Sequence, residues 1–313
     1  MAKLKIALLA GGVSGEREVS LKTGEKIYQA LDKNKYEISR YDPKTDLKQF
    51  FSDAVDKKFD LVFPALHGPF GEDGKLQGML DMIGMPYVFS GCLASALGMN
   101  KYKTKVLARD KGVESAEDLI LVKGKNYDTN ILISELGLPI VIKPIELGSS
   151  VGMSIAKTKE ELEKGIKLAF KHDEEVLLEQ FIKGRELTVA VMGAKYNPEA
   201  LPVIEIIPKA SEWFDYKAKY EPGASEEVCP AQIPDKVRDK AQDLAKKVYS
   251  AVGCKDLARV DFIWSKDDDK LYLLEINTIP GMTATSLAPQ AAKAAGLEFP
   301  EFLDRLIEGN VKK

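Results

Sequence analysis

Through the first hundred residues, short apolar runs alternate with amphipathic stretches, and glycine-rich turns follow the runs. KLKIALLA reads as a buried strand, Gly11-Gly12-Val13-Ser14-Gly15 as a turn, and EREVSLKTGEKIYQALD as an amphipathic helix. YEISRYD, a polar helix through Phe50-Phe51, and the strand LVFPAL running into HGPFGEDG repeat the scheme. Such alternation with short connections predicts a parallel sheet covered by helices. Ligands then belong at the carboxyl ends of the strands, where both glycine-rich turns fall. The pattern changes near Leu97-Gly98-Met99. A lysine-rich helix, NKYKTKVLARDKG, leads into the strands DLILVKG and PIVIKPIE, a glycine and serine loop, and the helix KEELEKGIKLAFK. From RELTVAVMG onward strands dominate (ALPVIEIIP, LARVDFIW, LYLLEIN), with one long helix, DKVRDKAQDLAKKVYSAV, before LARVDFIW. Three units are therefore expected: an α/β unit over residues 1–98 and two α+β units over 99–183 and 184–313.

Composition narrows the function classes. The 313 residues are 45% hydrophobic and 30% charged, as in a soluble globular protein, and are long enough for two or three domains. A formal charge of −3 leaves no basic excess for gripping a phosphodiester backbone, so no nucleic-acid partner is expected. Cys92, Cys229 and Cys254 are odd in number and far apart, which suggests neither a disulfide framework nor a zinc site. Reduced thiols point to the cytoplasm. The apolar run IALLA is too short for a signal peptide and enters a Gly-Gly turn, and no stretch approaches membrane-spanning length.

The strongest chemical signal lies near the carboxyl end. In ARVDFIW, alternation puts Arg259, Asp261 and Ile263 on one face. In LYLLEIN it puts Glu275 and Asn277 together, with Tyr272, Leu274 and Ile276 opposite. The polar SKDDDK between them predicts a hairpin. A register pairing Asp261 with Glu275 also brings Arg259 to Asn277, whereas a one-residue slip would part the carboxylates. Two carboxylates about 4 Å apart repel by roughly 4 kcal/mol at an effective dielectric of 20, so a compensating cation is expected. Hard oxygen donors with an amide suit Mg²⁺. The plain alternative is a frayed strand end meeting water.

Gly148-Ser149-Ser150-Val151-Gly152, five residues after Lys143, has the small residues of a loop that can hold phosphate oxygens on backbone N–H groups. Alone it reads equally as a hairpin turn. No Walker string occurs. Ala10, Gly12 and Gly15 approach the dinucleotide fingerprint but miss its first glycine, which makes a dehydrogenase a weak rival.

Taken in order, GGVSGEREVSL, LHGPFGEDGKLQGMLDMIGMPYVFSG, VIKPIELGSSVGMS, DYKAKY, ARVDF and LLEINTIPGMTATSLAP resemble the D-alanine–D-alanine ligase family of ATP-grasp enzymes, over nearly the whole chain. The resemblance implies an ATP-grasp fold. It also implies a reaction joining two D-alanines through an acyl phosphate, for cell-wall peptidoglycan precursors. Asp261, Glu275 and Asn277 would then hold two Mg²⁺ ions, with Mn²⁺ as a substitute. Arg259 and the Gly281 N–H would stabilise the tetrahedral oxyanion. Lys101, Lys143, Ser149 and Ser150 would bind the ATP phosphates, Glu179, Gln180, Phe181 and Ile182 the adenine, and Glu186 the ribose. Glu16 and His67 would orient the first D-alanine, with Glu16 joined to Ser149 and Tyr220. Lys219, Ser286 and Leu287 would receive the second. Residues 211–224 would be a closing loop, and a homodimer is implied.

This sequence departs from the family pattern at Glu146, Leu147, Gln180 and Phe181, which concerns contacts near the phosphate loop and adenine. Tyr220 fits an amine acceptor over D-lactate. The rivals are another ATP-grasp carboxylate–amine or D-alanine–D-lactate ligase, and a non-catalytic nucleotide-binding module. Intact Arg259 argues against the latter.

Overall fold

The computed structural model describes residues 2–148, 151–209, 225–283 and 285–311. Three sheets follow one another along the chain. The first is parallel, in the order β2-β1-β3, from β1 (Leu4–Leu9), β2 (Tyr36–Tyr41) and β3 (Leu61–Pro64). Helices α1 (Arg17–Ala30) and α2 (Pro43–Val55) make the crossovers, and α3 (Lys75–Met82) and α4 (Cys92–Met99) follow. Residues 6–9 of β1 and all of β3 are apolar and buried, as expected of strands covered on both sides.

The Gly11-Gly12 turn after β1 holds protein groups. Gly11 N–H donates to Ser20 Oγ at 2.8 Å, and Gly12 N–H to Asp42 Oδ1 at 2.9 Å. Arg17 Nη1 reaches Gly12 O at 3.0 Å and Asp42 Oδ1 at 2.9 Å. The donors that a pyrophosphate would need are thus committed to Ser20 and Asp42, and the dehydrogenase reading loses its only support.

The second sheet is antiparallel, order β4-β7-β5-β6, from β4 (Asp118–Val122), β5 (Ile140–Pro144), β6 (Ser154–Ala156) and β7 (Glu175–Gln180). Helices α6 (Thr129–Leu136) and α7 (Lys159–Ala169) cover one face. Asp128 and Thr158 cap them through side-chain oxygens. The lysine-rich helix α5 (Lys101–Asp110) instead packs on the third sheet and on α8 (Asp235–Val252), sharing their core through Ala108.

The third sheet runs β11-β10-β8-β12-β13, with β9 also on β8. Its strands are β8 (Gly184–Ala194), β9 (Asn197–Ala200), β10 (Ile204–Pro208), β11 (Ser225–Val228), β12 (Asp256–Ser265) and β13 (Leu271–Asn277). The single strand expected for ALPVIEIIP is divided, β9 ending at Ala200 and β10 starting at Ile204, because Pro202 supplies no N–H to the ladder. Helices α9 (Leu287–Ala294) and α10 (Phe299–Glu308) close the chain. Their residues Ala288, Phe302 and Leu306 share one buried cluster with Ile6, Phe63, Met192 and Leu257, so the first and third sheets rest on a continuous core.

Candidate active site

The β12–β13 ladder pairs Arg259 with Asn277 and Asp261 with Glu275, the register that converges all four polar groups. Beyond that point the pairing jumps from Asp261↔Glu275 to Phe262↔Leu273, leaving Leu274 as an extra residue in β13. This bulge corrects the expected faces. Strict alternation puts Tyr272 and Leu274 opposite Glu275, but the inserted residue reverses the parity. Leu271, Leu273 and Ile276 face the core, while Tyr272 and Leu274 share a pocket wall with Glu275.

That pocket, about 140 Å³, lies between the second and third sheets. Val141, Ile155, Phe181, Tyr272 and Leu274 give it apolar walls, and Lys101, Lys143, Glu179, Gln180, Ile182, Glu186 and Asp261 line it too. Glu179 is buried between Lys143 and Lys105, both ion-paired to its carboxylate. Lys105 is wholly buried, and burial followed by the Lys143 charge pulls its ammonium pKa down. The sequence reading missed Lys105. Its signal was the four-residue spacing from Lys101, which puts both lysines on one face of α5.

A larger cleft of about 550 Å³ adjoins it, and Lys101 and Glu275 line both. Lys101 Nζ donates to Leu147 O at 2.5 Å and sits 3.5 Å from Glu275 Oε2. Arg259 grips Asp261 with two hydrogen bonds, 2.9 Å from Nε and 2.7 Å from Nη2, and Thr188 Oγ1 donates to the same carboxylate. Burial opposes the Arg259 charge, but Asp261 outweighs it and raises the guanidinium pKa. Asn277 Oδ1 accepts the Ile279 N–H at 3.0 Å, fixing the turn that carries Gly281 into the cleft. Ser286 precedes α9 and, with Leu287, presents the helix N-terminus to the cleft. Ser286 Oγ accepts the Thr283 N–H at 3.0 Å. Such an end favours a carboxylate.

Glu16 stands before the first residue of α1, and its carboxylate reaches into the cleft. A methyl group at Gly68, where φ is +72°, would lie 2.6 Å from Glu16 Oε2, and one at Gly148 would lie 3.1 Å from the same atom. These glycines make room for the carboxylate. His67 is buried in the cleft wall with Nε2 3.1 Å from Thr23 Oγ1, and burial lowers its pKa, leaving the ring neutral. Glu72, which the sequence reading passed over, is also here. Burial first and Glu16 second raise its carboxyl pKa well above the ordinary range. The signal was a carboxylate inside a glycine turn at a strand's carboxyl end. Ser149, Ser150, Lys219, Tyr220 and residues 211–224 lie outside the described residues.

The oxygen donors suit a hard cation. Asp261 and Glu275 oppose each other, with Asn277 two residues on, and already draw Arg259 and Lys101 toward them. Among the described residues no three His, Cys, Asp or Glu side chains form a closed metal cage. Two carboxylates completed by substrate oxygens is the arrangement Mg²⁺ takes beside phosphates.

The comparisons with known proteins agree with one another. A family model described as D-ala D-ala ligase C-terminus matches residues 94–308, and one described as D-ala D-ala ligase N-terminus matches residues 39–92. The D-alanine–D-alanine ligase of Syntrophobacter fumaroxidans is 48% identical over 98% of this chain and 97% of its own. That of Desulfotalea psychrophila is 49% identical, covering 99% and 96%. The crystal structure of the Bacillus anthracis D-alanine–D-alanine ligase complexed with ATP superposes with a TM-score of 0.85 at 35% identity, covering 99% of this chain and 97% of that one. The VanG D-Ala:D-Ser ligase of Enterococcus faecalis gives 0.83 at 31% identity, covering 99% and 100%. With a family model across most of its length and full-length relatives at nearly half identity, the chain belongs to the D-ala D-ala ligase family, and its two antiparallel sheets around the smaller pocket are the ATP-grasp fold.

Proposed function

We propose that this chain joins two D-alanines into D-alanyl-D-alanine with ATP, releasing ADP and phosphate, and serves peptidoglycan precursor synthesis in the cytoplasm. The observation that carries this reading is the junction of two pockets at Lys101 and Glu275, one walled by apolar groups and lysines, the other holding Glu16, Arg259 and a helix N-terminus. A nucleotide in the first directs its terminal phosphate toward an amino acid in the second.

In this reading adenine lies against Phe181 and the Glu179 to Ile182 strand end, Glu186 takes the ribose, and Lys101, Lys143, Ser149 and Ser150 take the phosphates. Asp261, Glu275 and Asn277 would hold Mg²⁺, which supplies charge neutralisation on the transferring phosphoryl group. Glu16 receives the first amino acid's ammonium, and the neutral His67 ring shapes the wall beside it. The first D-alanine's carboxylate accepts the phosphoryl group, and the second amino group attacks the resulting acyl phosphate. Arg259 and the Gly281 N–H face the oxyanion that forms. Lys219, Ser286 and the Leu287 N–H hold the second carboxylate. The units 1–98, 99–183 and 184–313 divide this labour as substrate wall, nucleotide cover and metal floor.

A homodimer also belongs to the proposal. Leu47, Phe51 and Val55, four residues apart on α2, are all exposed and form an apolar stripe suited to a second copy.

The test is ADP release by the purified protein with ATP, Mg²⁺ and single amino acids. D-alanine is expected to drive ADP formation and yield the dipeptide, while L-alanine does not. ADP release that ignores D-alanine but follows another substrate overturns the specificity.

A further inference from the structure

Glu146 is one of the positions where this chain departs from the family pattern, and the structure gives it a partner. Asn100, only 2% exposed, opens α5, and its Oδ1 accepts the Lys103 N–H at 2.9 Å as the helix cap. The cap fixes which way the amide faces. Its Nδ2 is the edge left over, and it donates to Glu146 Oε1 at 2.8 Å. The amide therefore needs an acceptor from position 146, which a carboxylate offers and a basic side chain does not.

The bond matters because of what flanks it. Lys101 N–H donates to Ile145 O at 3.2 Å, and Lys101 Nζ to Leu147 O at 2.5 Å, so residues 145–147 lie along the start of α5. Leu147 lines the smaller pocket, Gly148 lines the cleft, and Lys101 lines both. The carbonyl that holds the Lys101 ammonium thus belongs to the residue after Glu146, and Asn100 is the residue before Lys101. The Glu146 backbone has an anchor of its own, its N–H donating to Asp173 Oδ2 at 2.8 Å. The side chain can therefore be changed without releasing the segment from the turn between α7 and β7.

We propose, resting on the nucleotide reading of the smaller pocket, that Glu146 is a positioning residue for ATP. By accepting the Asn100 amide it keeps the Leu147 carbonyl on Lys101 Nζ and so aims that ammonium at the phosphates. A lysine already tethered has less rotamer freedom to lose when a phosphate arrives. Without an acceptor at position 146, the buried Nδ2 loses this partner. The amide can then find another only by giving up the helix cap or by shifting the segment. Either change displaces Lys101 from the carbonyl that holds it.

The test is a swap read by equilibrium binding of ATP. Glu146→Arg turns a guanidinium to the Asn100 amide, donor to donor, and the Kd for ATP is expected to rise about tenfold, the upper worth of one hydrogen bond. The added positive charge would by itself favour ATP, so weaker binding reports geometry. The KM for D-alanine in ADP release should stay within about twofold of the parent, since Lys101 is aimed at the nucleotide. Glu146→Gln keeps an acceptor and should bind ATP within about threefold of the parent. Asn100→Asp alone sets carboxylate against carboxylate and should weaken ATP as the Arg variant does. Combined with Glu146→Arg it restores a donor and acceptor pair while the aspartate still caps α5, and ATP binding should return to within about threefold. Losses that multiply in the double variant mark a general loosening and overturn the assignment. So does an ATP Kd unchanged by Glu146→Arg, or raised as much by Glu146→Gln. If the Arg variant has no cooperative melting transition, Glu146→Ala, which leaves the amide without its acceptor, is read for the same Kd, and an unchanged value again overturns the role. A parent chain that binds no ATP overturns the nucleotide reading and this role with it. One that binds ATP but releases no ADP with D-alanine overturns the ligase reading alone, so the failures are distinct.

Discussion

Arg259 and Glu275 lie on adjacent strands but have separable tasks. Arg259 holds Asp261 in the resting site and faces the cleft where the oxyanion would form. Arg259→Ala is expected to lower kcat by about 10²–10³ while nucleotide still binds, because the lost donor matters most in the transition state. Lost nucleotide affinity with intact kcat, read by equilibrium binding beside steady-state rates, would move Arg259 to the nucleotide side. Glu275→Gln keeps the shape and removes the charge, and turnover should drop by a comparable factor of about 100 or more. Near-parental rates across a Mg²⁺ titration would take Glu275 out of the metal set. At this scale the sequence was informative wherever chemistry is tied to strand parity. The pairing of Asp261 with Glu275 followed from two-residue alternation and a short polar turn. Glu72 and Lys105 escaped because a lone acid or lysine signals nothing until its burial is known.

Elements position these groups through turns as much as through strands. The bulge at Leu274 lets Tyr272, Leu274 and Glu275 share one wall, which no regular strand permits. The turn after β1 shows the same logic, with Asp42 receiving Gly12 N–H, Arg17 and, at 3.0 Å, the Lys44 N–H that begins α2. The Arg17 bond, acting against some burial, lowers the Asp42 pKa to about 2, below the roughly 3.9 of an unfolded chain. A lowered carboxylate stabilises the fold above its unfolded pKa and loses that contribution as pH falls through the folded value. Asp42→Asn should therefore cost roughly 1–2 kcal/mol near pH 6, with the gap to the parent closing between about pH 4 and pH 2. Thermal midpoints measured across that range decide it, and a gap constant down to pH 2 would show that Asp42 acts through shape alone.

For the whole molecule, the shared core of the first and third sheets fixes the wall bearing Glu16 against the floor bearing Arg259. The α2 stripe of Leu47, Phe51 and Val55 lies outside that core and is open to a partner. Phe51→Glu should convert the proposed dimer to monomers with little change in melting, and sedimentation giving the same mass for parent and variant would refute that contact. The order of elements, the parallel first sheet, the pairing of β12 with β13 and the family were all legible in the sequence, because period, turn chemistry and motif spacing are local properties carried along the chain. The tertiary structure alone decided the parity reversal at Leu274, the division of the strand at Pro202, and the occupation of the first glycine turn by Asp42. It alone set Glu16 between Gly68 and Gly148 and buried Glu72 against the Gly68 N–H. Such outcomes depend on distances between residues remote in sequence and on how much water reaches them, neither of which any local pattern encodes.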